Sequence, residues 1–124
     1  MYKTKQLILV LFLVLGLVSI CLANSTVRFE WDANSEIDLS GYRLYQSATP
    51  GSYVYGKGNE VAEIPVGTET LTLPNVPDGD WSWVLTAFDT HGNESGPSNE
   101  VGANLDTAAP KAPSFRLISV EVNR

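Results

Sequence analysis

Residues 81–88, Trp81-Ser82-Trp83-Val84-Leu85-Thr86-Ala87-Phe88, place Trp81, Trp83, Leu85 and Ala87 on one face of an extended chain. A period of two does not fit the 3.6-residue turn of an amphipathic helix, and it predicts a half-buried antiparallel strand. The same alternation runs through 26–32, with Val27, Phe29 and Trp31 on one side and Arg28 and Glu30 on the other. It returns at 41–46, where Tyr42 and Leu44 face inward. Shorter segments follow at 53–55, 60–64 and 69–73, and a weaker one at 98–103. Between them lie Pro50-Gly51, Gly56-Lys57-Gly58-Asn59, Pro65-Val66-Gly67, Pro77-Asp78-Gly79 and His91-Gly92-Asn93, all of them turn chemistry. No stretch after residue 23 supports an amphipathic helix. Six or seven short strands separated by turns predict an all-β, two-sheet antiparallel sandwich.

The chain begins in a different way. Lys3 and Lys5 precede a nearly unbroken apolar run over 7–20, which ends at Cys21-Leu22-Ala23 before the polar Asn24-Ser25-Thr26. A basic start, an apolar core and a small exit residue form the layout of a secretory signal peptide. The run is shorter than the roughly 20 apolar residues of a spanning helix. Residues 1–23 are therefore expected to direct export to the periplasm or the extracellular space, with cleavage after Ala23. Two alternatives stay open. One is an uncleaved signal that anchors the chain in the membrane. The other is a lipoprotein modified at Cys21, although Ile20 stands where such signals carry a small residue.

Removing residues 1–23 from the 124 leaves 101, enough for one domain and not two. Without Lys3 and Lys5, six cations remain against 14 acids, a net charge of −8. An acidic chain lacks the basic footprint that nucleic-acid phosphates require. Cys21, the only cysteine, leaves with the signal, so the domain at 24–105 must hold together without a disulfide.

Several pieces occur in a recognisable order. Trp31 closes the first strand, Asp38-Leu39-Ser40-Gly41-Tyr42-Arg43-Leu44-Tyr45 opens the next, and Leu71-Thr72-Leu73 precedes Val76-Pro77-Asp78-Gly79. Leu85-Thr86-Ala87-Phe88-Asp89 and Gly92-Asn93-Glu94-Ser95-Gly96-Pro97-Ser98-Asn99-Glu100-Val101 complete the series. Together they resemble a fibronectin type III domain of the kind found in secreted bacterial and phage proteins, over about residues 26–103. The resemblance implies an immunoglobulin-like sandwich with strand B at 26–32, C at 41–47, C′ or D near 60–64, E at 69–73, F at 81–89 and G at 97–103. With inward parity, that register names Trp31, Leu44, Leu73, Val76, Trp83, Leu85 and Ala87 as the core, and Tyr42 as its margin. Two departures stand out. Trp81 occupies the place of a tyrosine whose hydroxyl ties back to the E–F turn, so that tie is expected to be weakened or rerouted. Strand A is missing, because cleavage leaves only Asn24-Ser25-Thr26 before strand B.

Little in the chain points to catalysis. His91 is the only histidine and no cysteine remains after export, which excludes a Cys–His nucleophile and a histidine-rich zinc site. Asp89, His91 and Ser95 have the residue types of a hydrolytic triad. They share one short loop, however, with no oxyanion hole or substrate pocket in view. No catalytic residue and no cofactor are assigned, and the chain is expected not to be an enzyme. The candidate binding residues are Asp32, Asn34, Glu36, Asp38, Asp89, His91, Asn93 and Glu94, because the B–C and F–G loops emerge at one pole of such a sandwich. Carboxylate and amide oxygens are also what calcium takes, which makes Asp32, Asn34, Glu36, Asp38, Asp89 and Asn93 calcium candidates. Asp32-x-Asn34-x-Glu36 echoes the first half of a calcium loop, but Ile37 and Arg43 stand where glycine and glutamate are needed. The expected role of Asp38 and Asn93 is instead to brace turns through nearby backbone N–H groups. Asn24-Ser25-Thr26 and Asn93-Glu94-Ser95 fit the N-glycosylation pattern, which is rare in a bacterial or phage setting. Tyr45, Tyr53 and Tyr55 are a candidate exposed aromatic strip.

The resemblance implies a non-catalytic exported binding or spacer module for a protein or glycan surface ligand, with membrane contact only through an uncleaved or lipidated signal. The alternative is an accessory carbohydrate-binding or spacing element of a secreted or phage wall-degrading enzyme system. Residues 106–124 follow as a Pro-containing linker and an extra strand at 115–122, Phe115-Arg116-Leu117-Ile118-Ser119-Val120-Glu121-Val122. That strand is expected to pair with an edge of a neighbouring copy or partner, giving a homo-oligomer in the first case, or to pair in parallel within its own molecule.

Overall fold

The computed structural model describes residues 24–124. The expected export signal at 1–23, with Cys21, lies outside the described residues. The described chain holds six strands: β1 (Asn24–Glu30), β2 (Leu39–Ser47), β3 (Ala62–Pro65), β4 (Thr70–Pro77), β5 (Gly79–Asp89) and β6 (Val101–Leu105). They form a two-stranded sheet, β1-β4, and a four-stranded sheet, β3-β2-β5-β6, with every pair antiparallel.

Alternation explains β1 directly. Its exposed and half-buried residues alternate along the whole strand, and Val27 and Phe29 face the core. β2 behaves differently, because Gly41, Tyr42, Arg43, Leu44 and Tyr45 are all buried. Tyr42 and Leu44 point between the sheets, while Arg43 and Tyr45 lie on the opposite face and are covered from outside. Segment 48–61 and the loop after β5 provide that cover. Glu100 holds the segment down by accepting the Gly51 N–H and the Tyr53 hydroxyl, both at 2.7 Å. Tyr55 then stacks edge-on against Tyr45 at 5.1 Å. The expected strand at 53–55 is not formed. The candidate tyrosine strip is not an exposed one, since Tyr45 is buried beneath Tyr55. Gly41 is required where β2 meets its neighbours: a Cβ there would lie 2.4 Å from the Ile64 carbonyl oxygen.

The core is narrower than parity alone predicts. Tyr42, Leu44, Ile64, Val76 and Trp83 form its buried cluster, and Trp31, Leu73, Leu85 and Ala87 are only partly buried around it. Tyr42, expected at the margin, is 2% exposed and central. Its ring meets Trp31 edge-on at 5.3 Å, and its hydroxyl accepts the Asn34 N–H at 2.9 Å. Both ends of the tyrosine are thus satisfied, which allows deep burial. Trp83, 1% exposed, donates its indole N–H to Gln46 Oε1 at 2.9 Å and meets Phe29 edge-on at 5.2 Å.

Between β4 and β5 the chain passes from one sheet to the other at Pro77-Asp78-Gly79. Gly79 has φ 144°, a conformation L side chains rarely adopt. Trp81 closes this corner by donating its indole N–H to the Pro77 carbonyl at 2.8 Å. The tie expected to be weakened or rerouted is therefore made, by an indole in place of a phenol.

The last strand needs a further correction. It spans Val101–Leu105 and not 97–103. Ahead of it, Ser95 and Ser98 substitute for strand carbonyls, their hydroxyl oxygens accepting the Ala87 and Leu85 N–H groups at 2.9 Å. Residues 106–124 form no strand within their own chain, which sets aside the parallel pairing inside one molecule, and Phe115 and Ile118 are 96% and 90% exposed. A strand exists through its partner's hydrogen bonds, and none of the described residues supplies them.

Leu44 lies in the buried cluster and Leu85 on its partly open edge. Leu44→Ala is expected to cost about 4 kcal/mol and Leu85→Ala only about 2 kcal/mol. Urea titration of both variants checks this ranking.

Candidate functional site

The start of β2 and the end of β5 pair at Leu39 and Asp89, so loops 31–38 and 90–100 leave the sandwich at the same end. The Thr90 N–H donates to the Asp38 carbonyl at 2.9 Å and joins the two loops. Between them lies a shallow depression of about 230 Å³, lined in part by Asn34, Glu36, Asp38, Asp89, Asn93 and Glu94. Six of the eight expected binding residues therefore meet. His91 borders the group, with Nδ1 3.8 Å from Asp38 Oδ2. Asp32 does not join them and lines a neighbouring depression with Ser95, Ser98 and Asn99.

Asp89 organises the second loop. Its Oδ1 accepts the His91 and Asn93 N–H groups, and its Oδ2 accepts the Asn93 side-chain amide, all at 2.9 Å. These bonds, the Asn93 amide foremost, hold the Asp89 carboxyl below the usual carboxylate range. The turn brace is therefore Asp89. Of the two residues expected in that role, Asn93 is a donor to it, and Asp38 contributes its carbonyl.

Asp38, Asp89 and His91 offer ligand atoms within 4.8 Å of one another. As a metal site this set is thin. Both Asp89 oxygens already accept hydrogen bonds, His91 is exposed, and calcium takes about 6–8 oxygens. The triad reading fares no better, because the Ser95 hydroxyl is held in the ladder to Ala87 and donates to the Gly96 carbonyl. His91 faces Asp38 and not Ser95.

Glu94 has a role that sequence parity does not disclose. It reaches back over the outer face of the four-stranded sheet, where Oε1 accepts the Tyr45 hydroxyl and the Thr86 hydroxyl, the latter at 2.6 Å. Its Oε2 accepts Arg43 Nη1 at 3.1 Å. Arg43 also donates Nε to Glu63 at 3.2 Å and lies 4.0 Å from the Phe88 ring centre. Tyr45 in turn accepts the Gly56 N–H at 3.1 Å. Burial by itself pushes the Glu94 carboxyl up, but the Thr86 and Tyr45 hydroxyls and the Arg43 charge hold it below its ordinary value. Burial likewise opposes the Arg43 charge, and Glu63 and Glu94 outweigh it, leaving the guanidinium pKa raised. Tyr45 is pushed up by burial and by Glu94. With its oxygens taken by three side chains, Glu94 is a strut under the loop and not a free contact on it.

Ile37, which enters the sequence only as a misfit to a calcium loop, stands fully exposed in the first loop. A lone apolar residue between Glu36 and Asp38 was the available signal.

No family model, no curated protein and no solved structure matches this chain.

Millimolar calcium is expected to leave the melting temperature unchanged, and a saturable rise abolished by Asp38→Asn would assign the cluster to metal binding. The Glu94 network has an acid-side signature. Its folded pKa lies below the ordinary glutamate value, so as pH falls the unfolded chain binds the proton first. The stabilisation is complete above that value and disappears as pH drops through the lower folded value. Glu94→Gln is expected to flatten this slope and to cost about 2–4 kcal/mol near neutral pH, since Arg43 keeps only Glu63. Urea titrations at about pH 7 and about pH 4 measure both effects.

Proposed function

We propose that this chain is an exported, non-catalytic binding module of the fibronectin type III kind, which presents loops 31–38 and 90–96 to a protein on a cell surface or in its surroundings. The family assignment is supported by the pairing of β1 with β4 and of β3-β2-β5-β6, which is the B–E and C′–C–F–G arrangement. The Trp81 tie to the corner at Pro77 supports it too. Export is supported by the layout of residues 1–23.

One observation carries the binding role. The two loops are joined by the Thr90–Asp38 hydrogen bond into an acidic depression, and fully exposed Ile37 stands beside it. A scaffold of paired strands holds this pole in place, so little ordering remains to be done on binding. An acidic rim with a single apolar contact suits a partner that offers cations and hydrogen-bond donors around a small apolar recess.

The exported chain, immobilised and exposed to surface proteins of its own source, is expected to retain a protein partner. Ile37→Asp is expected to weaken that retention at least about tenfold, because an apolar contact becomes a buried charge. Retention on polysaccharide with no protein captured would favour the accessory role in a carbohydrate-degrading system. Equal capture by both variants would remove this pole from the binding surface.

A further inference from the structure

The two-stranded sheet cannot cover the four-stranded one, and the uncovered part has a definite shape. β1 pairs with β4 on one side and with none of the described residues on the other. A cleft of about 120 Å³ opens between β1 and the β5–β6 side, lined by Phe29, Trp31, Leu44, Trp83, Leu85 and Val101 among others. An unpaired strand edge offers backbone N–H and C=O groups, and the apolar cleft beside it offers a place for alternate side chains. An added strand needs both.

We propose that the occupant is segment 115–122 of a second copy of this chain. That segment has the composition of a strand, with Ile118, Val120 and Val122 at every second position. Phe115, Leu117, Ile118, Val120 and Val122 are all at least 70% exposed, an apolar run that monomeric proteins rarely leave in water. Charge favours the pairing: residues 24–105 carry three cations against twelve acids, whereas 106–124 carry three cations against two acids.

Reach decides against the same molecule for an antiparallel fit. β6 ends at Leu105, opposite Gly79, and Thr107 is fixed there to the Asp78 carboxylate through its N–H at 3.2 Å and its hydroxyl at 2.9 Å. β1 starts at that same end, where Asn24 pairs with Pro77, and runs away from it. An antiparallel addition would have to start beside Trp31, at the far end. β1, with seven residues, runs about 24 Å from that end to Trp31. The spacer 108–114 covers at most about 25 Å when fully extended, which uses its whole length along β1 and leaves none for the crossing from β6 to the other sheet. A tail from another copy has no such limit and can take the antiparallel register, which is slightly more stable per residue than the parallel one. Because each copy offers one tail and one cleft, the arrangement is head-to-tail unless two copies exchange tails and close.

The test compares the exported full chain with Ile118→Pro, which removes one ladder donor at a residue exposed in the monomer. Sedimentation velocity over a concentration series is expected to show dimers or longer species for the parent chain and monomer for the variant. In hydrogen exchange, the β1 amides facing away from β4 are expected to exchange at least about tenfold more slowly in the parent at high concentration. A peptide of residues 110–124 added to the variant is expected to restore that protection. A parent that stays monomeric, whether or not its β1 edge is protected, overturns the proposal. So does association that persists in Ile118→Pro. Since neither readout involves Ile37 or its loop, the result is independent of the surface-binding role.

Discussion

Two strands covering four is the constraint on which the rest of this molecule depends. A full sandwich buries both inner faces by matching strand for strand. Here two strands close a core that draws on all four strands of the larger sheet, and large rings do the spanning. Phe29 reaches Trp83, and Trp31 reaches Tyr42, both in edge-on contacts. Such pairs add about 0.5–1.5 kcal/mol each beyond the area they bury. Smaller side chains on β1 would leave the sheets without a common centre. The indole N–H of Trp31 is the one buried side-chain donor among the described residues that finds no acceptor. Trp31 lies just beyond the end of β1, beside the cleft that Phe29 and Val101 also line.

The larger sheet also has an outer face, and it is treated as a second interior. Arg43, Tyr45, Ser82 and Thr86 are buried there although they point away from the core. A buried guanidinium is costly unless every direction around it is satisfied, and this one has two carboxylates and an aromatic ring. The polar network does not replace hydrophobic burial. It fixes the position of segment 48–61 and of the loop after β5, because only one arrangement brings Glu94, Tyr45 and Arg43 together.

These features explain which parts of the molecule could be read in the sequence. Period-two patterning located β1, β2 and β5 within a few residues, since each is long and has one face on the core. The same patterning put Tyr42 at the edge, because parity tells which face a side chain occupies and not how far the opposing sheet extends. β6 starts late because the Ser95 and Ser98 hydroxyls take the ladder bonds of Ala87 and Leu85, which no periodicity announces. Strand parity brought the two loops to one pole, and most of the expected residues do meet there. It could not show that Glu94 folds back beneath its own loop, a contact set by the burial of Arg43 and Tyr45. Segment 115–122 reads as a strand because propensity is local, whereas pairing depends on a surface elsewhere.

Glu94 also limits how the protein can vary. Loops at the end of a sandwich ordinarily absorb insertions and substitutions, because nothing beneath them depends on their length. In this chain an inserted residue between Asp89 and Glu94 would draw the carboxylate away from Arg43 and leave a buried cation half-paired. Loop 32–37 carries no such attachment through its side chains and is exposed throughout. Descendants of this sequence would therefore diversify on one side of the pole only. A designer grafting new contacts onto the scaffold would meet the same asymmetry, with one loop open to redesign and the other already committed to holding the sheet.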